Sequence, residues 1–585
     1  MGHSSKAGRR RSSAVQQRSR KLTYSSAVLA LIIIAYFALA LAFNYGNATT
    51  QPSDDNFYVN FSYAIANKGL VSGFHYLRQF DFNIAWITKY VFIAVPAFFY
   101  WIFGLNSTSE ILYEVLCGCG AIIVIFLIGR RLHGDAAGLI AAGIFVLIPD
   151  TVLESASAGD GMPVAFFSLL SVLMLLMAMH DKRRAYYLLS GFFVVLGAIA
   201  GTEITLIVPV FIVPVMLYLL ATDLSAERAL NLGYFFMGIA AGLVIILVLG
   251  QVLAGAALQW YTMHFNSNWY FGGNWYYNQP TTLVSSWLQV MFPFSSSSPQ
   301  TPWPWPTYIS PWWILLPLNI IGFFGYAAIA SIAYLAVKGE RAVAFPVFWM
   351  VSLFLYLSFG TDRVYSWNFL PFTSRFFSIL TPSISLCIGI ALSVFLSQAG
   401  SMLKRGHAPL AMVAVAGVCV ALVFLVANSI SLTSTFDSAL SLQLRPYISS
   451  EHFIDNLPQN STVYVASVLL NDSYYGSKAY SSTISNVSVF AFGDILAMNY
   501  GTYYRHIMQP LVFYNCSSLK SGSYIVQTDM LVDDRLYTSG QPYEPRNILL
   551  DCPGVEVVLN QPQSDNPMAA YGVEPLANLT IYSIS

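Results

Sequence analysis

Two adjacent carboxylates, Asp54 and Asp55, stand in the run Pro52-Ser53-Asp54-Asp55-Asn56-Phe57-Tyr58, beside a long apolar stretch. An acid held against a membrane span is costly, so it marks either a functional site or a helix cap. A helix-like stretch, 56–67, follows and ends at Lys68-Gly69, which suits the cap reading equally well. A second acidic run reads Glu154-Ser155-Ala156-Ser157-Ala158-Gly159-Asp160-Gly161-Met162-Pro163. Here Asp160 could likewise be a cap, with Pro163 in the first turn. Glu203 lies inside the apolar context Gly201-Thr202-Glu203-Ile204, where it could reach a cavity or an amine. Two cations are placed as unusually as the acids. Lys89 interrupts the apolar stretch 84–104, and Arg375 opens a late apolar run in Pro371-Phe372-Thr373-Ser374-Arg375-Phe376-Phe377. A guanidinium there could grip a lipid phosphate bidentately, or snorkel as an interfacial anchor. No Walker-type glycine loop, HExxH pair or paired CxxC is present, so an ATP-driven pump and a zinc protease have no support.

The elements that must hold these residues are membrane helices. The 585 residues are 56% hydrophobic and 10% charged, with mean hydropathy +0.59. A soluble domain carries about 25% charged residues, so most of this chain avoids water. Net charge is zero, which offers nothing to a nucleic acid. Apolar runs long enough to cross a hydrocarbon core predict about eleven transmembrane helices. They fall at roughly 23–43, 111–129, 135–153, 162–179, 185–202, 204–221, 232–258, 314–336, 343–360, 376–398 and 408–431. The stretch 84–104, with Lys89 and Pro96, reads as re-entrant or interfacial.

Basic residues set the orientation. The first 22 residues form a basic tail with Lys6, Arg9, Arg10, Arg11, Arg18, Arg20 and Lys21. Alternate turns then carry Arg130 and Arg131, Lys182 to Arg184, Arg228, Lys338 and Arg341, and Lys404 and Arg405. The sequence therefore predicts a multi-pass protein with a cytoplasmic N-terminus. Sequons at Asn47, Asn60, Asn106, Asn460, Asn471, Asn486, Asn515 and Asn578 all fall on the predicted outer side. Outer loops span 44–110 and 259–313. The second holds Trp260, Tyr261, Trp269, Tyr270, Trp303 and Trp305 among many aromatics, and His264, which reads as structural or solvated. Such a loop suits a membrane-interface belt or a surface that stacks on sugar faces.

The module 23–434 gives way at 435–585 to short β-prone runs: Val463–Val465, Val487–Phe492, Tyr524–Gln527, Val555–Leu559 and Leu579–Ile584. A small extracytoplasmic α/β domain is expected there. Cys516 and Cys552 lie in it, either as a disulfide or as two free thiols. Cys117, Cys119, Cys387 and Cys419 sit in apolar spans and read as core residues.

In this order and orientation, residues 23–400 resemble the GT-C polytopic glycosyltransferases, which include protein O-mannosyltransferases and bacterial aminoarabinose transferases. Three patches carry the resemblance. The first is Asp54-Asp55-Asn56-Phe57-Tyr58 continuing through Tyr63-Ala64-Ile65-Ala66-Asn67-Lys68-Gly69; the usual pair is Asp-Glu. The second is the cytoplasmic turn Leu127-Ile128-Gly129-Arg130-Arg131-Leu132-His133-Gly134-Asp135-Ala136-Ala137-Gly138, followed by Pro149, Glu154 and Asp160. The third runs from Arg375 to Pro382. Glu203 stands where a lysine is common, and an arginine upstream of Asp160 is missing. The Trp-Trp-Asp-Tyr-Gly signature of oligosaccharyltransferases is absent, which speaks against en bloc glycan transfer.

The resemblance implies inverting transfer of a hexose, mannose-like, from a polyprenyl- or dolichyl-phosphate donor to a protein, lipid or glycan acceptor. Asp54 matches the general base, and Asp55 would orient the acceptor or sugar. Arg375 with Lys89 would neutralise the leaving phosphate. Asp160, Tyr58, Glu154 and Glu203 would complete substrate binding. Phosphate leaves readily, so the chemistry does not require a metal, and a divalent ion stays open. Two other classes compete. A transporter or flippase would bury charge deep in several spans. A non-catalytic assembly subunit would treat Asp54 and Asp55 as ordinary caps.

Overall fold

The structure, a computed structural model, describes residues 4–43, 54–78, 89–104, 106–159, 161–200, 207–222, 225–255, 257–258, 323–359, 379–458, 461–466, 487–493, 512–513, 521–528, 554–561 and 579–585. The chain opens with α1 (Ser4–Phe43), whose apolar half, Tyr24–Phe43, is long enough to span a membrane. Two short helices follow, α2 (Asp54–Lys68) and α3 (Leu70–Arg78), then α4 (Tyr90–Phe103) and the long α5 (Ser107–His133). A helix of 14 residues such as α4 reaches about 21 Å, short of a core of about 30 Å. Residues 84–88 of the stretch 84–104 lie outside the described residues.

The α4–α5 turn is made by a left-handed glycine and a capping box. Gly104 has φ +72°. The Asn106 side chain accepts from the Thr108 and Ser109 amides at 3.1 and 3.0 Å, and Ser109 Oγ accepts from the Asn106 amide at 3.0 Å. A sequon asparagine is thus committed to starting a helix.

The predicted span 135–153 is not one straight helix. It breaks into α6 (Asp135–Leu147) and α7 (Pro149–Ser155), bent by 66°. Proline disfavours helical geometry in the residue before it, and Ile148 is extended (φ −72°, ψ 123°). The break frees a carbonyl that Ser429 satisfies, donating its hydroxyl to Leu147 O.

The remaining helices are α8 (Gly161–Asp181), α9 (Arg184–Ala200), α10 (Ile207–Thr222) and α11 (Ala226–Leu249), which runs into a π turn at Gly250–Ala254. After them come α12 (Phe324–Lys338), α13 (Ala344–Phe359), α14 (Thr381–Lys404) and α15 (Ala408–Asp455). Among the described residues six helices have the length and composition of a span, or seven with the bent pair counted as one. Four shorter apolar helices accompany them.

Without a hydrophobic force between helices in lipid, close backbone approach must hold the bundle. α9 packs between α8 and α11, and its crossing with α11 is reciprocal. A Cβ on Gly191 would lie 2.0 Å from Phe235 O, and one on Gly238 would lie 1.9 Å from Leu188 O. α1 docks by a polar latch. Buried Tyr36 hydrogen-bonds Ser155 on α7, over Gly118 of α5.

At one end of the bundle Arg130 meets Asp135 at 2.9 Å, Arg131 meets Asp181 at 3.8 Å and His133 meets Glu340 at 3.9 Å. Three of the basic turns, at 130–135, 181–184 and 338–341, therefore lie together. Of the four cysteines read as core residues, Cys117 and Cys387 are buried and Cys119 is half-buried, but Cys419 is exposed on α15, on a helix face that lipid rather than protein would cover.

α15 runs unbroken for 48 residues and crosses position 435, where the apolar runs stop. It leads to a six-stranded sheet, β1 (Ser461–Ala466), β2 (Val487–Gly493), β3 (Val512–Phe513), β4 (Tyr524–Thr528), β5 (Val555–Gln561) and β6 (Leu579–Ile584), in the order β3-β2-β1-β4-β6-β5. β1, β2, β3 and β4 pair in parallel, while β6 is antiparallel to both β4 and β5. Each β-prone run read from the sequence falls on a strand. Cys516 and Cys552 lie outside the described residues.

The helix crossings make a prediction. Gly238→Ala must push a Cβ into the Leu188 carbonyl and should cost about 1–3 kcal/mol, lowering the unfolding midpoint in detergent. Gly233→Ala on the same helix, with nothing within 4 Å, should leave the midpoint unchanged.

Candidate active site

The acidic pair opens a helix. Asp54 and Asp55 are the first two residues of α2, where the partial positive charge of the helix N-terminus favours carboxylates. Their side chains lie outside the described ones. One turn on, Tyr58 and Val59 are buried, and Phe61, Ser62, Ala64 and Ile65 continue the buried face. α2 ends at Lys68, where Gly69 takes φ +85° and lets the chain turn into α3. The element agrees closely with the helix-like stretch 56–67.

α2 packs along α4, and this contact delivers the cation. Lys89 precedes α4 and is only 1% exposed. Its ammonium donates to the Tyr58 hydroxyl and lies 4.4 Å from the Tyr58 ring centroid and 5.9 Å from that of Phe92. Phe92 meets Tyr58 edge-on at 4.8 Å and tilts against Tyr113 of α5 at 6.0 Å. A lysine has a strongly hydrated head, so burying it demands polar or π partners. Tyr58 and the aromatic wall supply both. The result is a positive charge fixed one turn from the acidic pair.

The second acidic run approaches from α7. Glu154 is buried at 8% exposure, and Ala158 packs with Val59 of α2 and Tyr100 of α4. Ser157 donates to Glu154 O at 3.2 Å and tightens the turn toward α8. The run just before Asp160 therefore meets the helix that carries Asp54 and Asp55. Asp160, Glu203 and Arg375 lie outside the described residues, as do loop 259–313 and its His264.

Two acids escaped the reading of the sequence. Glu110 and Glu114 on α5 are 2% and 1% exposed, one helical turn apart on one face. Both act electrostatically on Tyr100, and Glu114 also on Tyr36 and Tyr113. The signal was an i, i+4 acidic pair at the head of an apolar helix. Among the described residues no group of three His, Cys, Asp or Glu could hold a metal ion.

A family model described as dolichyl-phosphate-mannose-protein mannosyltransferase matches residues 90–250, from α4 to the end of α11. A curated relative from Bacillus subtilis (strain 168), named "Putative mannosyltransferase YkcB", is 27% identical over 207 residues. That match covers 34% of this chain and spans about a quarter (27%) of the relative's length. Among solved structures, ArnT from Cupriavidus metallidurans in the apo state has TM-score 0.55 at 13% identity, covering 95% of this chain and 98% of ArnT. ArnT bound to undecaprenyl phosphate has TM-score 0.53 at 12% identity, covering 97% and 98%. The likeness to ArnT is one of fold, and it extends over nearly the whole of both chains.

The buried pair makes a prediction of its own. Tyr58→Phe removes the acceptor from a buried ammonium and should destabilise the protein by about 1–3 kcal/mol. In the Lys89→Met background the same change should cost much less. A double-mutant cycle on the unfolding free energy measures the coupling.

Proposed function

We propose that this chain, a member of the GT-C superfamily of polytopic membrane glycosyltransferases by fold and family-model match, transfers a sugar from a polyprenyl-phosphate carrier to a protein, lipid or glycan acceptor. The observation that carries this reading is the buried Lys89 ammonium on Tyr58, one turn from the acidic pair that opens α2. A cation beside carboxylates is what displacement of a phosphate by a hydroxyl or amine requires. The base takes a proton while the cation meets the departing charge. The name of the family model favours a mannose-like hexose, and ArnT with undecaprenyl phosphate favours a polyprenyl carrier.

In this mechanism the acceptor heteroatom attacks the anomeric carbon from the face opposite the phosphate. The new bond forms as the bond from the anomeric carbon to the phosphate oxygen breaks, and configuration inverts. Asp54 receives the acceptor's proton. Asp55 orients the acceptor or sugar. Lys89 and Arg375 neutralise the phosphate, with Tyr58 holding the lysine head. Asp160 shapes the site from the second loop, with Glu154 behind it, and Glu203 contributes from the α9–α10 connection. The leaving phosphate does not by itself require a metal, and a divalent ion stays open. With eleven crossings and a cytoplasmic N-terminus, the site and the C-terminal sheet belong to the extracytoplasmic face.

Transfer of radiolabelled mannose from a polyprenyl-phosphate donor, in membranes with matched expression, tests the reading. Asp54→Asn should lower the rate by about 10²–10⁴-fold. Lys89→Met should also lower it, through the leaving group. Equal rates for wild type and Asp54→Asn would remove the base. No transfer by the wild type across donors and acceptors would move weight to a transporter or an assembly subunit.

A further inference from the structure

The break between α6 and α7 holds a polar group that the transfer reaction does not use. Asp150 is 0% exposed, and among the described residues neither of its carboxylate oxygens has a hydrogen-bond partner. Thr151, next to it and also 0% exposed, has a hydroxyl in the same condition. An ionised carboxylate would need donors, and a neutral one would need an acceptor for its own hydroxyl. The surrounding helices α1, α5, α6, α8 and α15 supply neither. Polar side chains buried this deeply are normally satisfied, and ionisable ones inside a membrane bundle are partnered or functional.

We propose that Asp150 and Thr151 hold a monovalent alkali cation at the broken span. Three features set the sign and the kind of ion. An ionised Asp150 carries the negative charge a cation needs, and α6 adds the negative end of its dipole at the break, against the positive end of the short α7 on which Asp150 stands. The donors are oxygens, which suit a hard ion. Among the described residues no group of three His, Cys, Asp or Glu gathers here, and Glu154 stands one turn on along α7, so the site lacks the ligand set of a transition metal. Broken membrane helices bind small cations in this way, with an acid and freed backbone carbonyls near the bend. The ion would tie the end of α6 to the start of α7 and fix the 66° bend. Beyond that bend Ala158 packs with Val59 of α2. The inference stands on the break itself and does not rest on the transfer reaction.

The test uses the full chain purified in detergent, with thermal unfolding followed by tryptophan fluorescence. Sodium or potassium chloride replaces choline chloride at constant ionic strength. The wild-type midpoint should rise saturably by a few degrees with sodium or potassium and not with choline. Asp150→Asn should lose the response, and Thr151→Val should shift it severalfold toward higher cation concentration. A wild-type midpoint that is the same in all three salts overturns the proposal, and this holds even if Asp150→Asn does not fold. A response that persists unchanged in Asp150→Asn, or a midpoint that follows pH but no cation, overturns it as well.

Discussion

In a hydrocarbon layer a backbone N–H or C=O can find a partner only within the protein, and this constraint governs the whole membrane module. It explains why the apolar runs become helices rather than strands until the chain leaves the layer. It also explains how the sharp bend at Ile148 is tolerated. Pro149 removes a donor and straightens Ile148, and the carbonyl left at Leu147 is taken up by Ser429 from α15, far away in sequence. Helices that cannot gain by hiding from water gain by touching closely. Gly191 and Gly238 therefore face backbone, not side chains.

The same constraint concentrates chemistry. Charge is tolerated where α2, α4 and the α7–α8 turn converge, because each charged group brings its own solvation. Asp54 and Asp55 open a helix, whose N-terminal dipole favours carboxylates, a phenol and two rings serve Lys89, and Glu154 is buried. Tyr58, which holds the Lys89 head, lies one helical turn along α2 from Asp54.

Much of the helical fold was legible because hydropathy and basic turns are local signals. The runs at 162–179 and 408–431 declare themselves by composition alone. The strands were legible for the same reason: Val487–Phe492 and Leu579–Ile584 are β-prone runs between turn residues. β3, two residues long, has too little sequence to show. The bend at Ile148 was hidden although Pro149 stood in view, since hydropathy counts residues and not direction. The site was legible in its parts and not in its contacts. Asp54, Tyr58 and Lys89 each drew notice, but no local pattern joins a tyrosine to a lysine 31 positions away. Glu110 and Glu114 were passed over because the apolar residues around them dominate the run.

The length of α15 has a further consequence. Forty-eight helical residues make a rod of about 72 Å, and its far end meets the sheet through Phe453, whose ring lies 5.7 Å from that of Tyr524. No hinge interrupts it, so the rod acts as a crankshaft. Each residue added to or removed from its membrane-distal half would turn the sheet by about 100° and move it by about 1.5 Å. The azimuth of the sheet over the bundle is therefore written in residue count.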